Sequence, residues 1–577
     1  MQSITAQLAA AFRAAIQSAI GIDADPAITV AQNDRFGDYQ CNAAMGLARA
    51  LSDKTGRKTN PRAIAEQIKA KLDLGPMASE VSIAGPGFIN VRLSPAWLAR
   101  RLEEARRDRR LGVWPMATPQ RVVVDYSGPN IAKEMHVGHL RSTIIGDCIA
   151  RVLEFLGHQV IRQNHIGDWG LQMGMVTWAV EQAGHPLTSL AELEQMYREV
   201  NKASEDPAVR QQMIERTRRL QQTPKDQLVH WQQVRKLTLD AAQELYRRLD
   251  VSLSPADVRG ESDYSDQYAA MIDELLKTGI AVETEGAIGI FPPGFTNKEG
   301  EPRPFIIQSR DGSYQYPTFD LAAIRFRIRQ LGAQRIIYTH DSRQAEHFAM
   351  LFAVARMLGL EAQLDYAPFG TVLGEDGKPL KTRSGENVKL ADLIDEAEQR
   401  AYALVSQKNP SLPEAQRRQI AHVVGVGAVK YADLSRDRTS DYVFSWEKML
   451  AMDGNTAPYL QYACARIRSI FRKASEEDQR LAGEATITLQ SPQELALAKH
   501  ILRLGEIVEL VARELKPHHL CTYLYELATR FSGFYENCPV LQSDRPLRSS
   551  RLALCDLTAR TLATGLDLLG IGHPEQM

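Results

Sequence analysis

RVVVDYSGPNIAKEMHVGHLRSTIIGDCIARVLEFLGHQVIRQNHIGDWG, residues 121–170, decides how this 577-residue chain folds. RVVVDY (121–126) is a nearly continuous apolar run, the pattern of a strand buried on both faces of a parallel sheet. Further on, Leu140, Ile144, Cys148, Val152 and Leu156 recur every four residues, and Ile145, Ile149 and Leu153 widen the stripe. That spacing predicts a helix with one buried face, and Gly157 suits its C-cap. QVIRQNHI (159–166) reads as the next strand. Strand, helix and strand make a βαβ unit, and its first turn holds Lys133, His136, Gly138 and His139.

A turn at the carboxyl end of a parallel strand is where open α/β sheets bind ligands. The helix that follows offers unpaired N–H groups and a partial positive charge to an anion. His136 and His139 share a face if the turn is helical. Lys133 adds a mobile point charge, and Gly138 lets a flat base approach the backbone. Together they predict a phosphate site. It is neither common phosphate loop, because the chain contains no GxxxxGK[ST] and no GxGxxG after a strand. The plain alternative for an HxxH pair is that one histidine caps the helix and the other packs. The setting of strand, lysine, glycine and helix favours the phosphate site.

Outward from this unit, a chain of this length calls for several domains. Residues 1–112 alternate helical and strand patterns and end in a charged helix, WLARRLEEARRDRR (97–110), as a small α/β or α+β domain would. Residues 113–414 form the sheet domain. It carries a polar helical insertion at about 185–250, after which strand candidates resume at 287–291, 305–309 and 335–339. Residues 415–577 read as almost wholly helical. The expected fold class is therefore α/β: a doubly wound, Rossmann-like parallel-sheet domain between a small N-terminal domain and an all-helical C-terminal one.

The apolar fraction of 44% supports a core in each domain, and a net charge of −1 leaves any nucleic-acid partner to local patches. The six cysteines form no CxxC pair, the usage of a reduced, intracellular protein. HHLC (518–521) has no second ligand pair nearby, so no structural metal is predicted. No signal peptide or membrane span is expected.

SGPNIAKEMHVGHLRSTIIGD (127–147) resembles the HIGH-motif region of class I aminoacyl-tRNA synthetases, and in particular that of the bacterial arginyl-tRNA synthetase family. FGDYQCN (36–42) and IAGPGFIN (83–90) resemble that family's N-terminal tRNA-binding domain. NHIGDWGLQ (164–172), GES (260–262), YPTFD (316–320) and DSRQ (341–344) resemble its catalytic core. VGAVKYADLSRDRTSDYVFSW (426–446) and DGNTAPYLQYACARIRSI (453–470) resemble its anticodon-binding domain.

The resemblance implies arginine activation with ATP and Mg²⁺, dependent on tRNA(Arg), and transfer to the 2′-hydroxyl of its terminal adenosine. It implies that His136, His139, Lys133 and Lys381 are catalytic, and that His136, His139 and Lys133 with Gly138, Lys378 and Arg383 hold ATP. The family's second signature, KMSKS, is degenerate here (GEDGKPLKTRSGE, 374–386), so Lys133 is expected to substitute for a missing lysine. A planar guanidinium calls for a carboxylate that accepts it bidentately. Asp320 is the first candidate and Glu261 the second, with Tyr316, Asn130 and Gln344 completing the arginine pocket. On the helix starting near Thr456, Tyr459, Gln461, Arg466 and Arg468 are the expected tRNA contacts, with Tyr462, Arg472 and Lys473 beside them. A cytoplasmic monomer is expected. The alternatives are another HxGH nucleotidyltransferase and a non-catalytic tRNA-binding paralogue.

Overall fold

The structure, a computed structural model, describes residues 2–185, 187–381 and 387–577. Its centre is a four-stranded, all-parallel sheet. Across the sheet the strands run Gln363–Tyr366, Arg335–Tyr338, Arg121–Asp125 and Gln159–Gln163. Side chains alternate along each strand. Val122, Val124 and Ile337 join a core shared with the helix Val137–Phe155 and the C-terminal helices. Val123, Ile336 and Tyr338 face a second core, with Phe319, Phe348 and Trp169. Burial on both faces is why RVVVDY carries no polar alternation.

The chain leaves Arg121–Asp125 toward Gln159–Gln163 on one side, and Arg335–Tyr338 returns on the other. The switch point therefore lies between the carboxyl ends of the two central strands. The helix Val137–Phe155 packs tightly beneath it, since a Cβ on Gly146 would meet the Tyr126 side chain at 2.2 Å.

Two strand expectations need correcting. Ala287–Ile290 and Phe305–Gln308 are strands, but they lie in a separate antiparallel sheet in which Ala287–Ile290 is the middle strand, paired with Ala281–Thr284 on one side and Phe305–Gln308 on the other. Glu285 and Gly286, both at positive φ, form a two-residue hairpin, and a turn that short allows only antiparallel pairing. The fourth parallel strand, Gln363–Tyr366, lies at the sheet edge, and its mixed sequence QLDY gave no apolar run to find.

In the first unit all four strands pair antiparallel, which makes it α+β rather than α/β. It is tied to the C-terminal helices by polar contacts. Glu506 Oε1 accepts from Thr5 N at 2.9 Å, Thr5 Oγ1 at 2.6 Å and Tyr39 OH at 3.1 Å, and Lys499 pairs with Asp38 at 2.6 Å. The insertion is helical, over Leu190–Ala203, Pro207–Gln222 and Val229–Arg248. The C-terminal helices begin at Glu414 and continue to Leu568, packed on the sheet domain through a common core. One fully buried ion pair crosses that junction: Arg141 Nε lies 2.9 Å from Asp433 Oδ2.

Candidate active site

A cleft of about 580 Å³ opens at the switch point. Its floor is the turn after Arg121–Asp125. Ser127 and Ala132 hold positive φ there, beside Gly128, a conformation costing non-glycine residues roughly 1–2 kcal/mol each. Hydrogen bonds fix it: Ser127 N donates to Ser142 Oγ at 3.0 Å, Gly128 N to Asn164 Oδ1 at 3.0 Å, and Ala132 N to Thr238 Oγ1 at 3.1 Å.

At one end of the cleft stand His136 and His139, with ring centroids 4.1 Å apart. His136 is the N-cap of Val137–Phe155. Its Nδ1 accepts from Gly138 N at 3.0 Å, and His139 Nδ1 accepts from His136 N at 3.1 Å. The two imidazoles thus serve as a reciprocal cap. With both Nδ1 atoms acting as acceptors, the proton of each neutral ring sits on Nε2. Burial lowers the pKa of His136, with Lys133 and Arg343 adding to the effect. For His139, burial and then His136 bring it down to about 3. Near neutral pH the turn therefore presents two uncharged Nε2–H donors. Capping through Nδ1 leaves both Nε2–H groups free to donate, so capping does not exclude an anion-binding role. Gly138 has a reason of its own as well: a Cβ there would sit 2.8 Å from the His136 ring.

The opposite end is acidic. Tyr316 and Asp320 lie one turn apart on the helix Tyr316–Arg329 and line the cleft with Asn130, Glu261 and Gln344, so all five expected arginine contacts share one pocket. Asp320 Oδ2 lies 2.6 Å from His347 Nε2, and His165 Nε2 is 3.7 Å from Oδ1. Burial alone would raise the Asp320 pKa; His347, His165 and His340 outweigh it and the pKa falls. Glu261 accepts from Trp169 N at 2.9 Å. Burial, then Asp168 and Asp320, push its pKa well up. Asp168 has Arg235 at 2.9 Å, whereas no salt bridge to Glu261 is found among the described residues. Two recessed carboxyls, one of them without a protein counter-ion among the described residues, suit this end to a cation.

His165, His340 and His347 carry none of the expected roles, yet all three act on the Asp320 carboxylate. Beneath them Asp125 pairs with Arg327 at 2.8 Å, both side chains nearly inaccessible, and His340 Nε2 lies 3.7 Å from Asp125. Two cues were present in the sequence. His165 falls inside NHIGDWGLQ, and His347 follows DSRQ by one helical turn.

Other expected residues stand differently. Lys133 does not line the cleft: its Nζ sits 4.9 Å over the ring of Tyr197, on the insertion helix Leu190–Ala203. Lys378 and Lys381 are exposed, and Lys381 pairs through its backbone with Asn387. Arg383 lies outside the described residues. The base of this loop is pinned to the histidine turn, with Val137 N donating to Val388 O and Leu390 N to Met135 O, both at 2.9 Å.

On the helix Ala457–Lys473 the expectation for Gln461 is corrected. It is fully buried, and its Nε2 donates to Val423 O at 3.1 Å and Gly572 O at 2.7 Å, so it is closed to RNA. Arg468 reaches His573 Nδ1 at 3.0 Å and Glu575 at 3.1 Å. Arg466 stacks on Tyr535, Tyr459 contacts Tyr525, and Tyr462 is exposed.

A parallel sheet whose switch point carries a histidine-capped helix beside the cleft agrees with a class I synthetase type of catalytic domain, and the family match states that class. The family description "tRNA synthetases class I (R), catalytic domain" matches residues 107–446. "Arginyl tRNA synthetase N terminal domain" matches 6–93 and "DALR anticodon binding domain" 460–577. The chain is 48% identical over 562 residues to an arginine–tRNA ligase of Laribacter hongkongensis, covering 96% of each chain. It is 50% identical over 569 residues to one of Saccharophagus degradans, covering 96% of this chain and 97% of the other. It is similar to the crystal structure of arginyl-tRNA synthetase from Plasmodium falciparum, with 31% identity, a TM-score of 0.87 and full coverage of both chains. The chain belongs to the arginyl-tRNA synthetase family.

Proposed function

We propose that the protein is an arginine–tRNA ligase. It joins the carboxylate of L-arginine to the α-phosphate of ATP, releases pyrophosphate, and passes the arginyl group to the 2′-hydroxyl of the terminal adenosine of tRNA(Arg), releasing AMP. ATP arrives as its Mg²⁺ salt, so the ion comes as part of the substrate. The observation that carries this reading is the polarity of the cleft. Two neutral Nε2–H donors stand at one end, and Asp320 and Glu261 at the other.

The reaction needs reactants aligned and charge stabilised, without a covalent enzyme intermediate. His136 and His139 donate to phosphate oxygens as charge builds on the α-phosphate and the leaving pyrophosphate. Gly138 leaves room for the base. Asp320 takes the guanidinium, with Tyr316 beside it and Glu261 supplying a further oxygen acceptor. Asn130 orients the α-amino and carboxylate groups, and Gln344 completes the pocket. Lys133 leaves Tyr197 to reach the phosphates, aided by Lys378, Lys381 and Arg383 on the following loop.

Residues 1–112 bind the body of the tRNA, 113–414 catalyse, and 415–577 bind the anticodon arm through Tyr459, Arg466 and Arg468. We assign a cytoplasmic monomer. Activation itself requires tRNA, because docking completes the site. Aminoacylation across the twenty amino acids with total tRNA is the test. Charging with arginine alone is expected; charging with a different amino acid, or none, overturns the reading. ATP–pyrophosphate exchange in tRNA-free enzyme tests the tRNA requirement, and robust exchange would refute it.

A further inference from the structure

We propose that His347 is the positioning residue for Asp320: it aims the carboxylate into the cleft and makes arginine capture weaken when its own ring is protonated. The inference rests on the ligase reading above and deepens it.

His347 is the third residue of the helix Ala345–Met357. Its Nε2 reaches across to Asp320 Oδ2, at 2.6 Å, on the neighbouring helix Tyr316–Arg329. The ring has little freedom. Phe305 stacks on it at 5.5 Å, Tyr316 meets it edge-on at 5.3 Å, and Phe348 does so at 5.4 Å. A carboxylate has about four acceptor positions, and His347 takes one. His165, a second imidazole beside the carboxylate, stands 3.7 Å from Oδ1, beyond hydrogen-bond reach. Oδ1 is thus left for a guanidinium, while the oxygen bonded to His347 fixes the plane of the group. Tyr316, packed on the same ring, is held in register with it.

The contact has a charge consequence. With His347 neutral, the pair carries the full negative charge of Asp320. With His347 protonated the pair is neutral, and its cation faces the incoming guanidinium. The other titratable groups nearby are His165, Tyr316, His340, Asp341 and Glu261 in the cleft, with Arg343, itself paired to Asp341 at 2.6 Å, and Glu346 flanking His347 in sequence. Burial disfavours the charged form of His165, and Glu346 is engaged by Arg303. Glu261 titrates with the opposite sign of charge, so its protonation would also weaken a cation; the variants below separate the two.

The experiment measures kcat, the KM for arginine and the KM for ATP in tRNA charging across about pH 5.5–8.5, the range in which an imidazole titrates. It compares the full-length protein with His347→Gln, which keeps a donor that cannot be protonated, and His347→Leu, which removes the donor and keeps the bulk. In the unaltered protein the arginine KM is expected to rise toward the acid end of that range, while the ATP KM changes far less. His347→Gln should keep the high-pH arginine KM within a few-fold and lose the rise. His347→Leu should raise the arginine KM roughly tenfold or more at every pH, with kcat largely kept, the signature of lost positioning for binding. A His347→Gln profile that still rises like the unaltered one, or a His347→Leu arginine KM equal to the unaltered value, overturns the proposal. If His347→Leu does not fold, His347→Gln decides alone. Failure of the unaltered protein to charge arginine would instead refute the ligase reading.

Discussion

The two ends of the cleft are built differently. The histidine end is local: four consecutive residues cap one helix, and each imidazole is fixed by a backbone N–H no more than three residues away. The guanidinium end is assembled at long range. Asn130, Glu261, the Tyr316–Asp320 helix turn and Gln344 line it, with His347 behind Asp320, and together they are spread over more than two hundred residues. A local device survives as a readable motif because its geometry needs only its own helix. A long-range device depends on the whole sheet domain to bring its parts together, and its charges are tuned by neighbours that no motif contains.

Breaking the local end should cost rate more than affinity. His139→Ala removes a donor to the phosphates and the acceptor for His136 N. A lost contact to a charged group costs about 1.5–3 kcal/mol, or roughly 10- to 150-fold in kcat if felt only in the transition state. The arginine KM should hold. A raised arginine KM with unchanged kcat would place His139 at the wrong end.

Lys133→Ala probes the same end more gently, because Lys133 rests on Tyr197 before substrates bind. Adenylate formation should slow by about tenfold, the low end of the range for a charge-assisted contact. Pre-steady-state adenylate formation with tRNA present reads this directly. An effect on the arginine KM alone would mean that Lys133 never reaches the phosphates.

The smallest effect is on stability and sharpens the contrast between capping histidines and ordinary buried ones. Burial lowers the pKa of both His139 and His500 to about 3, against about 6.5 in an unfolded chain. Between those values the unfolded state binds the extra proton, so stability present above about pH 6.5 is lost progressively as pH falls toward 3. His500 Nε2 hydrogen-bonds Tyr523 O, far along the chain from the cleft residues. His500→Gln should reduce the slope of unfolding free energy against pH in that window by close to one proton, leaving charging intact. An unchanged slope would show that His500 is already protonated in the folded protein.

The parallel strand Arg121–Asp125, the helix after it and the histidine turn were legible because burial on both faces and a four-residue repeat leave plain patterns. The edge strand Gln363–Tyr366 was not, since an edge needs fewer apolar residues. Gln461 looked like a surface contact because its residue type is polar. Only the packing shows its amide spent on Val423 and Gly572. The acids of the pocket were found by family resemblance, while the histidines that tune them were passed over, because nothing in the spacing of 165, 340 and 347 announces that they converge.

The central claim is that Asp320 reads the charge of the guanidinium. Citrulline has nearly the shape of arginine but a neutral urea, so a carboxylate-built site should reject it by about 10⁴-fold or more, as sites that leave a buried polar group unpaired do. The direct measurement is kcat/KM for arginine and for citrulline in the unaltered protein and in Asp320→Asn, which removes charge with little change of shape. Asp320→Asn should lose most of its activity with arginine and narrow the gap to citrulline. A ratio between the two substrates that stays the same would contradict the account and move the guanidinium to Glu261.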